Sequence, residues 1–105
     1  MIKESAIEKY LVAQAKARGA FVRKVTYQGR KGAPDRWLFY PHGFLLIVEL
    51  KRPGEKPEPL QLVEMQKLRN AGFFVAWADS KEQVDDILDH AELSALRLFN
   101  ERHPL

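Results

Sequence analysis

The sequence contains no cysteine, which excludes disulfide bonds and thiolate metal sites, and with them zinc fingers and zinc knuckles. Its apolar runs are short: FLLIV has 5 residues, against the roughly 20 that a transmembrane helix needs. The N-terminal stretch MIKESAIEKY lacks the apolar core of a signal peptide, so we expect a cytoplasmic protein without membrane association. The histidines His42, His90 and His103 share no spacing, which argues against a histidine-held metal centre.

Length and charge distribution bound the protein further. With 105 residues, of which 46% are hydrophobic, the chain suits one compact domain, and we expect a single domain over residues 1–105. The net charge is +3, but residues 16 to 36 carry seven Lys or Arg against one acid, while residues 79 to 92 carry six acids against one lysine. A basic half of this kind favours a polyanionic partner, although solvated surface charge explains the same counts.

Apolar periodicity and turn residues predict a mixed β-sheet flanked by helices, in the order α-β-β-β-α-β-α, which is an α/β fold. Residues 91 to 105 are expected to form a further short helix and a frayed tail. The predicted elements are a helix over 3–18, strands over 21–27, 35–40 and 44–51, a helix that starts near 60 and stops at Gly72, a strand over 73–78, and an acidic helix that starts at Ser80 and runs to about His90.

Two carboxylates and a lysine interrupt the apolar hairpin GAPDRWLFYPHGFLLIVELK, residues 32–51. Side chains alternate along a strand, so Glu49 and Lys51 point to the same face. The turn at 41–43 pairs residue 40 with residue 44, which places Asp35 opposite Glu49, at about 5 Å. Two carboxylates at that separation repel each other, and the pKa of one is raised unless a cation lies between them.

A divalent cation resolves this conflict, because Mg²⁺ and Mn²⁺ prefer oxygen ligands and are often held by one or two carboxylates. Lys51 is then placed to stabilise negative charge that develops during phosphoryl chemistry. The alternative is an ion pair between Glu49 and Lys51 at an exposed strand end. The apolar run before Glu49 favours a central strand instead, where ionised groups are costly unless paired or bound to a metal.

Two further polar residues lie on helix faces that point toward the predicted sheet. Glu8 shares a face with Leu11 and is a candidate metal ligand, directly or through water, with Glu4 one turn earlier as the alternative. Gln61 aligns with Met65, so its amide is placed to orient water or Lys51. A solvated glutamate and a boundary glutamine explain the same two positions.

Together these residues resemble the PD-(D/E)XK nuclease superfamily, with Pro34-Asp35 followed, fourteen residues on from the aspartate, by Glu49-x-Lys51. The stretches ESAIEKYLV…RG, KGAPDRW, VELKRPGEKPEPLQ and LRNAG are similar to the stand-alone VRR-NUC domain of bacteriophages and bacteria, over nearly residues 2 to 90. Ala33 stands where a bulkier apolar residue is expected.

The resemblance implies a restriction-endonuclease-like core and a Mg²⁺- or Mn²⁺-dependent endodeoxyribonuclease. It implies that Asp35, Glu49 and the backbone carbonyl of Leu50 hold the metal, that Lys51 is the catalytic lysine, and that Gln61 is the glutamine that follows E-x-K. A similarity to archaeal Holliday junction resolvases, which carry an apolar-Glu pair eleven residues ahead of a glycine, favours Glu8 over Glu4.

The resemblance also implies a DNA partner. Small stand-alone members of the family look like homodimers that cut four-way (Holliday) junctions. The resemblance therefore implies branched DNA as the substrate and a homodimer as the assembly. It also implies a phage or bacterial protein that acts in the host cytoplasm. The acidic C-terminal helix or the tail ALRLF is the candidate interface, and packing within the monomer is the alternative. Flap- or restriction-like cleavage and a non-catalytic DNA-binding module remain alternative functions. The residues expected to contact DNA are Arg23, Lys24, Arg30, Lys31, Arg36 and Arg52.

Overall fold

A computed structural model of the protein describes residues 4–104, and the side chains of residues 6–104. Its elements follow the predicted order α-β-β-β-α-β-α. The side chain of Glu4, the alternative to Glu8, lies outside the described residues. The elements are α1 (Glu4–Ala17), β1 (Phe21–Lys24), β2 (Arg36–Phe39), β3 (Leu45–Leu50), α2 (Pro59–Asn70), β4 (Phe74–Ala78) and α3 (Lys81–Arg102), with one turn of 3-10 helix (Pro41–Gly43) between β2 and β3.

The four strands form one mixed sheet in the order β1-β2-β3-β4. β2 pairs antiparallel with β1 and with β3, whereas β4 pairs parallel with β3. The parallel pair needs a crossover connection, and α2 provides it. β3 is therefore an inner strand with residues 46–50 buried, as the apolar run FLLIV predicted.

Helices cover both faces of the sheet. On the α1/α3 face, the inward residues of α1 and α3 pack against Leu38, Leu46 and Val48. On the α2 face, Met65 packs against Ile47 and Val75. Since neighbouring residues of a strand point to opposite faces, the alternation along β2 and β3 decides which helix each polar side chain meets. Among residues 4–104, no helix combines the length and apolar character needed to cross a membrane.

The helix α3 differs from its prediction, because it continues without a break to Arg102 instead of stopping near His90. Ser80 caps its N-terminus, as predicted: its hydroxyl accepts a hydrogen bond from the Gln83 N–H at 3.1 Å. No glycine or proline interrupts residues 81 to 102, and apolar residues on the α1/α3 side continue past His90 at Ala91, Ala95 and Leu98. That unbroken stripe keeps the helix on the core.

The strand β1 is shorter than predicted, ending at Lys24 and not at residue 27. Beyond it the chain turns toward α2, where the hydroxyl of Tyr27 donates a hydrogen bond to Oε2 of Glu64 at 2.9 Å. Burial, followed by this hydrogen bond, raises the pKa of Tyr27. The tyrosine that a strand pattern placed in the sheet thus anchors the following loop to a helix.

Candidate active site

Glu49 is the one carboxylate among the buried residues of the described chain, with a relative exposure of 5%. It lies in β3 between Val48 and Leu50, which face α1 and α3, so alternation turns its side chain to the α2 face. There, Nε2 of Gln61 donates a hydrogen bond to Oε2 of Glu49 at 3.2 Å. Burial of a carboxylate in a central strand is costly unless it is compensated, and this hydrogen bond compensates it in part.

Gln61 is held in this position by the start of α2. Glu58 is the N-cap residue, its backbone N–H donates to Oε1 of Gln61 at 2.8 Å, and the Glu58 side chain accepts from the Gln61 backbone in turn. Pro59 occupies the first turn, where its missing N–H is not needed. This capping box was missed in the sequence because Glu58 stands where the usual signature has Ser, Thr, Asp or Asn, although Pro59 and Gln61 are typical of a helix start. It leaves the amide nitrogen of Gln61 aimed at Glu49.

Asp35 directly precedes β2, and the strand register places it across from Glu49. The observed pairs run from Phe39 with Leu45 to Arg36 with Val48, so the next pair in sequence is Asp35 with Glu49. This is the register predicted from the turn. The backbone carbonyl of Asp35 accepts a hydrogen bond from the Val25 N–H at 2.8 Å, which fixes the start of β2 against the end of β1.

The loop before Asp35 lies against the N-terminus of α2. Gly32 has φ +89°, and a Cβ atom built on it would lie 3.1 Å from both the backbone carbon and the carbonyl oxygen of Leu60. Two features therefore favour glycine at this position: the positive backbone angle and the close approach to Leu60. On the other side of Asp35, Nε1 of Trp37 donates to the carbonyl oxygen of Pro34 at 3.0 Å. The close approach of Gly32 connects the Asp35 loop to the helix that carries Gln61, and the Trp37 hydrogen bond connects the loop to β2.

Lys51 follows β3 and is half-buried. Its backbone N–H donates to the carbonyl oxygen of Ala78 at 2.8 Å, which continues the β3–β4 pairing for one more residue. The alternation of β3, continued by one residue, puts Lys51 on the side of Glu49, as the sequence predicted. The three residues singled out in the hairpin are thereby brought to one end of β2 and β3.

Arg36 and Glu8 form an ion pair on the α1/α3 face. Nη2 of Arg36 lies 2.8 Å from Oε2 of Glu8, and Nη1 of Arg36 lies 2.8 Å from Oδ1 of Asp35. Burial lowers the pKa of Arg36, but the two carboxylates outweigh burial, and the net pKa is raised. The structure thus places the guanidinium of Arg36 beside Glu8, where the sequence suggested a metal ion.

Arg36 corrects a prediction, because its relative exposure of 5% removes it from the surface expected to contact phosphates. Its position in β2, in step with Leu38, turns it to the interior. The other predicted DNA contacts lie on the exposed surface. Arg30 approaches Glu64 at 3.8 Å, and the guanidinium of Arg23 lies 4.7 Å from the ring centre of Phe21. The exposed set is Arg23, Lys24, Arg30, Lys31 and Arg52.

The donor set determines which metal fits the site. In the described part of the chain, no group of three or more His, Cys, Asp or Glu side chains is placed to hold a metal ion. What the register brings together is one pair of carboxylates, Asp35 and Glu49. Such a pair suits Mg²⁺ or Mn²⁺, which take one or two carboxylates and complete their shells with water and phosphate oxygens. It does not suit zinc, which is held by three or four protein ligands.

Comparison with known proteins identifies the family of the chain. Over 82 residues the chain is 42% identical to "Putative nuclease p44" of Acyrthosiphon pisum secondary endosymbiont phage 1, a match that covers 78% of this chain and 88% of that protein. A solved structure described as "VRR_NUC domain" superposes with a TM-score of 0.80 and 38% identity, over 86% of this chain and 98% of that one. The chain belongs to the VRR-NUC family. No protein-family model matches the chain.

These two matches confirm the family and the fold that the motifs predicted. The class of the protein is therefore a nuclease domain. The mixed four-stranded sheet with helices on both faces is the VRR-NUC fold. The ion, the DNA structure and the assembly of this VRR-NUC domain are matters of proposal.

Proposed function

We propose that the protein is a Mg²⁺- or Mn²⁺-dependent DNA endonuclease that hydrolyses phosphodiester bonds at the site of Asp35, Glu49, Lys51 and Gln61. One observation carries the proposal: the carboxylate of Glu49 is buried to 5% exposure, at the strand end where the register sets it opposite Asp35. Two facing carboxylates in a partly desolvated site destabilise each other. Asp35 and Glu49 would hold a divalent cation, which would offset that repulsion and give the pair a function.

In this proposal Asp35, Glu49 and the backbone carbonyl of Leu50 hold the cation. The cation would supply Lewis-acid polarisation of a phosphoryl oxygen. Gln61 holds Glu49 from the α2 face through the 3.2 Å hydrogen bond and so limits the carboxylate to one orientation. Because a ligand that is already oriented loses less freedom on binding, this contact supports metal affinity.

Lys51 acts on the phosphate in this proposal. Lys51 is half-buried and directly follows the strand that carries Glu49, and we place its ammonium group beside a phosphate bound at the carboxylates. Negative charge accumulates on the phosphate oxygens in the transition state, and a fixed positive charge next to them stabilises that state more than the ground state. Lys51 is the catalytic residue that the proposal places on the substrate.

Exposed cations surround this end of the sheet and supply the DNA-binding surface of the proposal. Arg30 and Lys31 belong to the loop that leads to Asp35, Lys24 ends β1, and Arg52 follows Lys51. Contacts of this kind bind phosphates irrespective of sequence. A surface without sequence readout fits selection by DNA shape, and we propose branched DNA such as four-way junctions as the preferred substrate.

A homodimer belongs to the same proposal, because resolution of a junction takes two cuts related by a twofold axis. Leu93 and Leu96 on α3 are 67% and 57% exposed, which gives the C-terminal part of this helix an apolar surface. We place the interface there. Sedimentation at several concentrations tests it: a twofold mass that disappears in Leu93→Asp with Leu96→Asp supports the dimer, and a monomeric wild type contradicts it. The host cytoplasm, where such DNA occurs, is the proposed location.

The test of this function uses the full chain and three synthetic DNAs of equal length: a four-way junction, a flap and a linear duplex. Each is incubated at fixed salt with Mg²⁺, with Mn²⁺ and with EDTA. We expect cleavage with either metal, none in EDTA, and the fastest cleavage on the junction. Preference for the flap or the duplex contradicts the substrate, and binding without cleavage under both metals points to the non-catalytic module.

A further inference from the structure

Arg36 is a buried arginine with two carboxylate partners, which come from different parts of the fold. It is the first residue of β2 and faces α1, together with Leu38. Its Nη2 lies 2.8 Å from Glu8 of α1, and its Nη1 lies 2.8 Å from Asp35. The carboxylates are more accessible than the arginine: Glu8 is 40% and Asp35 34% exposed at the side chain, against 6% for Arg36.

The guanidinium is incompletely compensated. Nε and Nη1 are buried and make no hydrogen bond with aligned geometry to any described residue, although Nη1 has its ion-pair contact with Asp35. Removal of a guanidinium from water has a large free-energy cost, which one or two partial ion pairs offset only in part. Replacement of such a buried pair by apolar side chains is often neutral or stabilising. Fold stability alone is therefore a weak reason for an arginine at this position.

We propose that Arg36 is the positioning residue of the metal site, and that Glu8 acts through Arg36 and does not itself hold the metal. The inference rests on the proposed function. The planar guanidinium holds two carboxylates in fixed directions, whereas a lysine ammonium is a point charge on a flexible stem and does not fix the orientation of either. One end of the fork is fixed by Glu8 on α1, and the other end sets the orientation of Asp35. Arg36 and Glu8 together are neutral, so the pair orients Asp35 without a net charge of its own.

Replacement of Arg36 by methionine changes metal affinity in opposite directions through charge and through orientation. Arg36→Met leaves the carboxylate of Glu8 without its counter-charge, so the change in charge alone would strengthen the binding of a divalent cation at Asp35. Loss of orientation has the opposite effect, since changes to residues that orient metal ligands commonly weaken metal affinity by about 10- to 100-fold. Weaker binding in Arg36→Met therefore reports impaired positioning and cannot be explained by the missing charge.

The experiment measures Mn²⁺ affinity of the full chain by calorimetry without DNA, and DNA affinity in EDTA. The variants are Arg36→Met, Arg36→Lys, Glu8→Gln, the double variant Glu8→Gln with Arg36→Met, and Asp35→Asn. Arg18→Met is the matched control, because Arg18 also contacts two carboxylates, Asp89 at 2.6 Å and Glu92 at 3.4 Å, away from the proposed site. Thermal melts establish that each variant folds, and Arg36→Lys keeps the charge if Arg36→Met does not fold.

We expect Arg36→Met and Arg36→Lys each to lose about tenfold in Mn²⁺ affinity, with DNA affinity in EDTA within twofold of wild type and Arg18→Met unchanged in both. Glu8→Gln should lose less than Asp35→Asn, and nothing further when Arg36 is already methionine. Unchanged or tighter Mn²⁺ binding in Arg36→Met overturns the inference. So does a loss of DNA affinity at constant Mn²⁺ affinity, which would make Arg36 a phosphate contact.

The double variant Glu8→Gln with Arg36→Met tests whether Glu8 itself holds the metal. If Glu8→Gln loses the same Mn²⁺ affinity in the wild-type background as in the Arg36→Met background, Glu8 is a direct ligand and the inference for Glu8 is overturned. If wild type and Asp35→Asn bind Mn²⁺ equally weakly, the proposed metal site itself is absent and both proposals fail together. A wild type that binds Mn²⁺ and cleaves DNA, with no effect of Arg36→Met, removes the positioning role and leaves the proposed function intact.

Discussion

Gln61 donates a hydrogen bond to Glu49 across 3.2 Å, from the first turn of α2 to the end of β3. The same side chain caps its own helix, since its Oε1 accepts from the Glu58 N–H at 2.8 Å. One amide thus joins the helix start to the buried carboxylate, so any change at Gln61 acts on stability and on the site together. Variants that separate these two effects are informative.

Replacement of Gln61 by alanine removes both hydrogen bonds. We expect the free energy of unfolding to fall by about 1 kcal/mol, the usual effect of removing a cap, and cleavage to fall by about 10- to 100-fold because Glu49 loses its orienting donor. Gln61→Glu keeps an acceptor for the cap but sets a second carboxylate against Glu49. It should retain more stability than alanine and recover no activity.

The control on the same helix is Gln66→Ala, which removes an exposed hydrogen bond of 2.9 Å to Asn70 and leaves the site untouched. Urea unfolding and cleavage rates are measured for all three variants. Equal cleavage by Gln61→Ala and Gln66→Ala would show that the hydrogen bond between Gln61 and Glu49 has no role in the reaction.

Gly32→Ala is expected to disturb the Asp35 loop. Both Gly32 and Gly29 have positive φ, at +89° and +71°, but only an added Cβ at Gly32 meets backbone atoms, 3.1 Å away in Leu60. Gly29→Ala should therefore lose roughly 1 kcal/mol for its backbone angle alone. Gly32→Ala should lose at least about 1 kcal/mol more, because the loop or α2 must shift, and its cleavage rate should fall. Urea unfolding of the two variants compares these losses, and identical values would contradict the close approach of loop and helix.

Because the pKa of Tyr40 is raised, we expect the protein to lose stability at high pH. Burial, together with the nearby Glu92 carboxylate, raises the pKa of Tyr40 to about 12 from an ordinary value of 10.0, against the opposing charge of Arg18. Above pH 10 the unfolded chain loses this proton while the folded chain keeps it, so the contribution is complete below pH 10 and is lost as the pH rises toward about 12. The loss is at most about 3 kcal/mol, since one pKa unit corresponds to roughly 1.4 kcal/mol.

Tyr40→Phe isolates this effect from the other ionisable groups. The Tyr40 hydroxyl is buried and has no hydrogen-bond partner in the described chain, so its removal should not destabilise the protein at pH 8. The difference in unfolding free energy between wild type and Tyr40→Phe should move in favour of phenylalanine as the pH passes from 9 to 11.5. A difference that stays constant over this range would mean that Tyr40 ionises at an ordinary pKa.

Arg30→Ala with Lys31→Ala should weaken DNA binding in EDTA. The salt slope, log Kd against log salt, should fall by about 1 for each phosphate that the variant no longer neutralises. Both side chains are exposed beside the Asp35 loop. Lys16→Ala with Lys67→Ala changes the net charge equally at exposed positions of α1 and α2. A slope that changes equally in the two pairs would show that net charge, and not this surface, binds the DNA.

The hairpin could be predicted because its information is local. The turn Pro41–Gly43 sets the register, and the register sets Asp35 opposite Glu49. Arg36 was misplaced because a charged residue next to an aspartate in a basic segment is usually solvated. Alternation with Leu38 was the signal for its burial, but its partner Glu8 lies 28 positions away in sequence, and no local pattern indicates such a pair. Contacts between distant elements are where the sequence was least informative.

The continuation of α3 could not be predicted for a different reason. An acidic first half and an apolar-basic second half suggest two helices, yet nothing between residues 81 and 102 breaks the backbone. What joins the halves is tertiary: Ala91 is buried on the same face as Leu88, and Ala95 and Leu98 pack behind it. A change of composition along this helix therefore does not coincide with a change of structure.

Single-turnover cleavage of the four-way junction with Mn²⁺ tests whether Asp35 and Lys51 act together at one metal-dependent site. Wild type, Asp35→Asn and Lys51→Met are measured beside the surface controls Asp86→Asn and Lys67→Met, with DNA affinity in EDTA for all five. Both site variants should lose at least about 100-fold in rate, the usual effect of removing one group that stabilises the transition state, while they bind DNA within twofold of their controls. Cleavage by Asp35→Asn or Lys51→Met at the rate of its control would refute the proposed site.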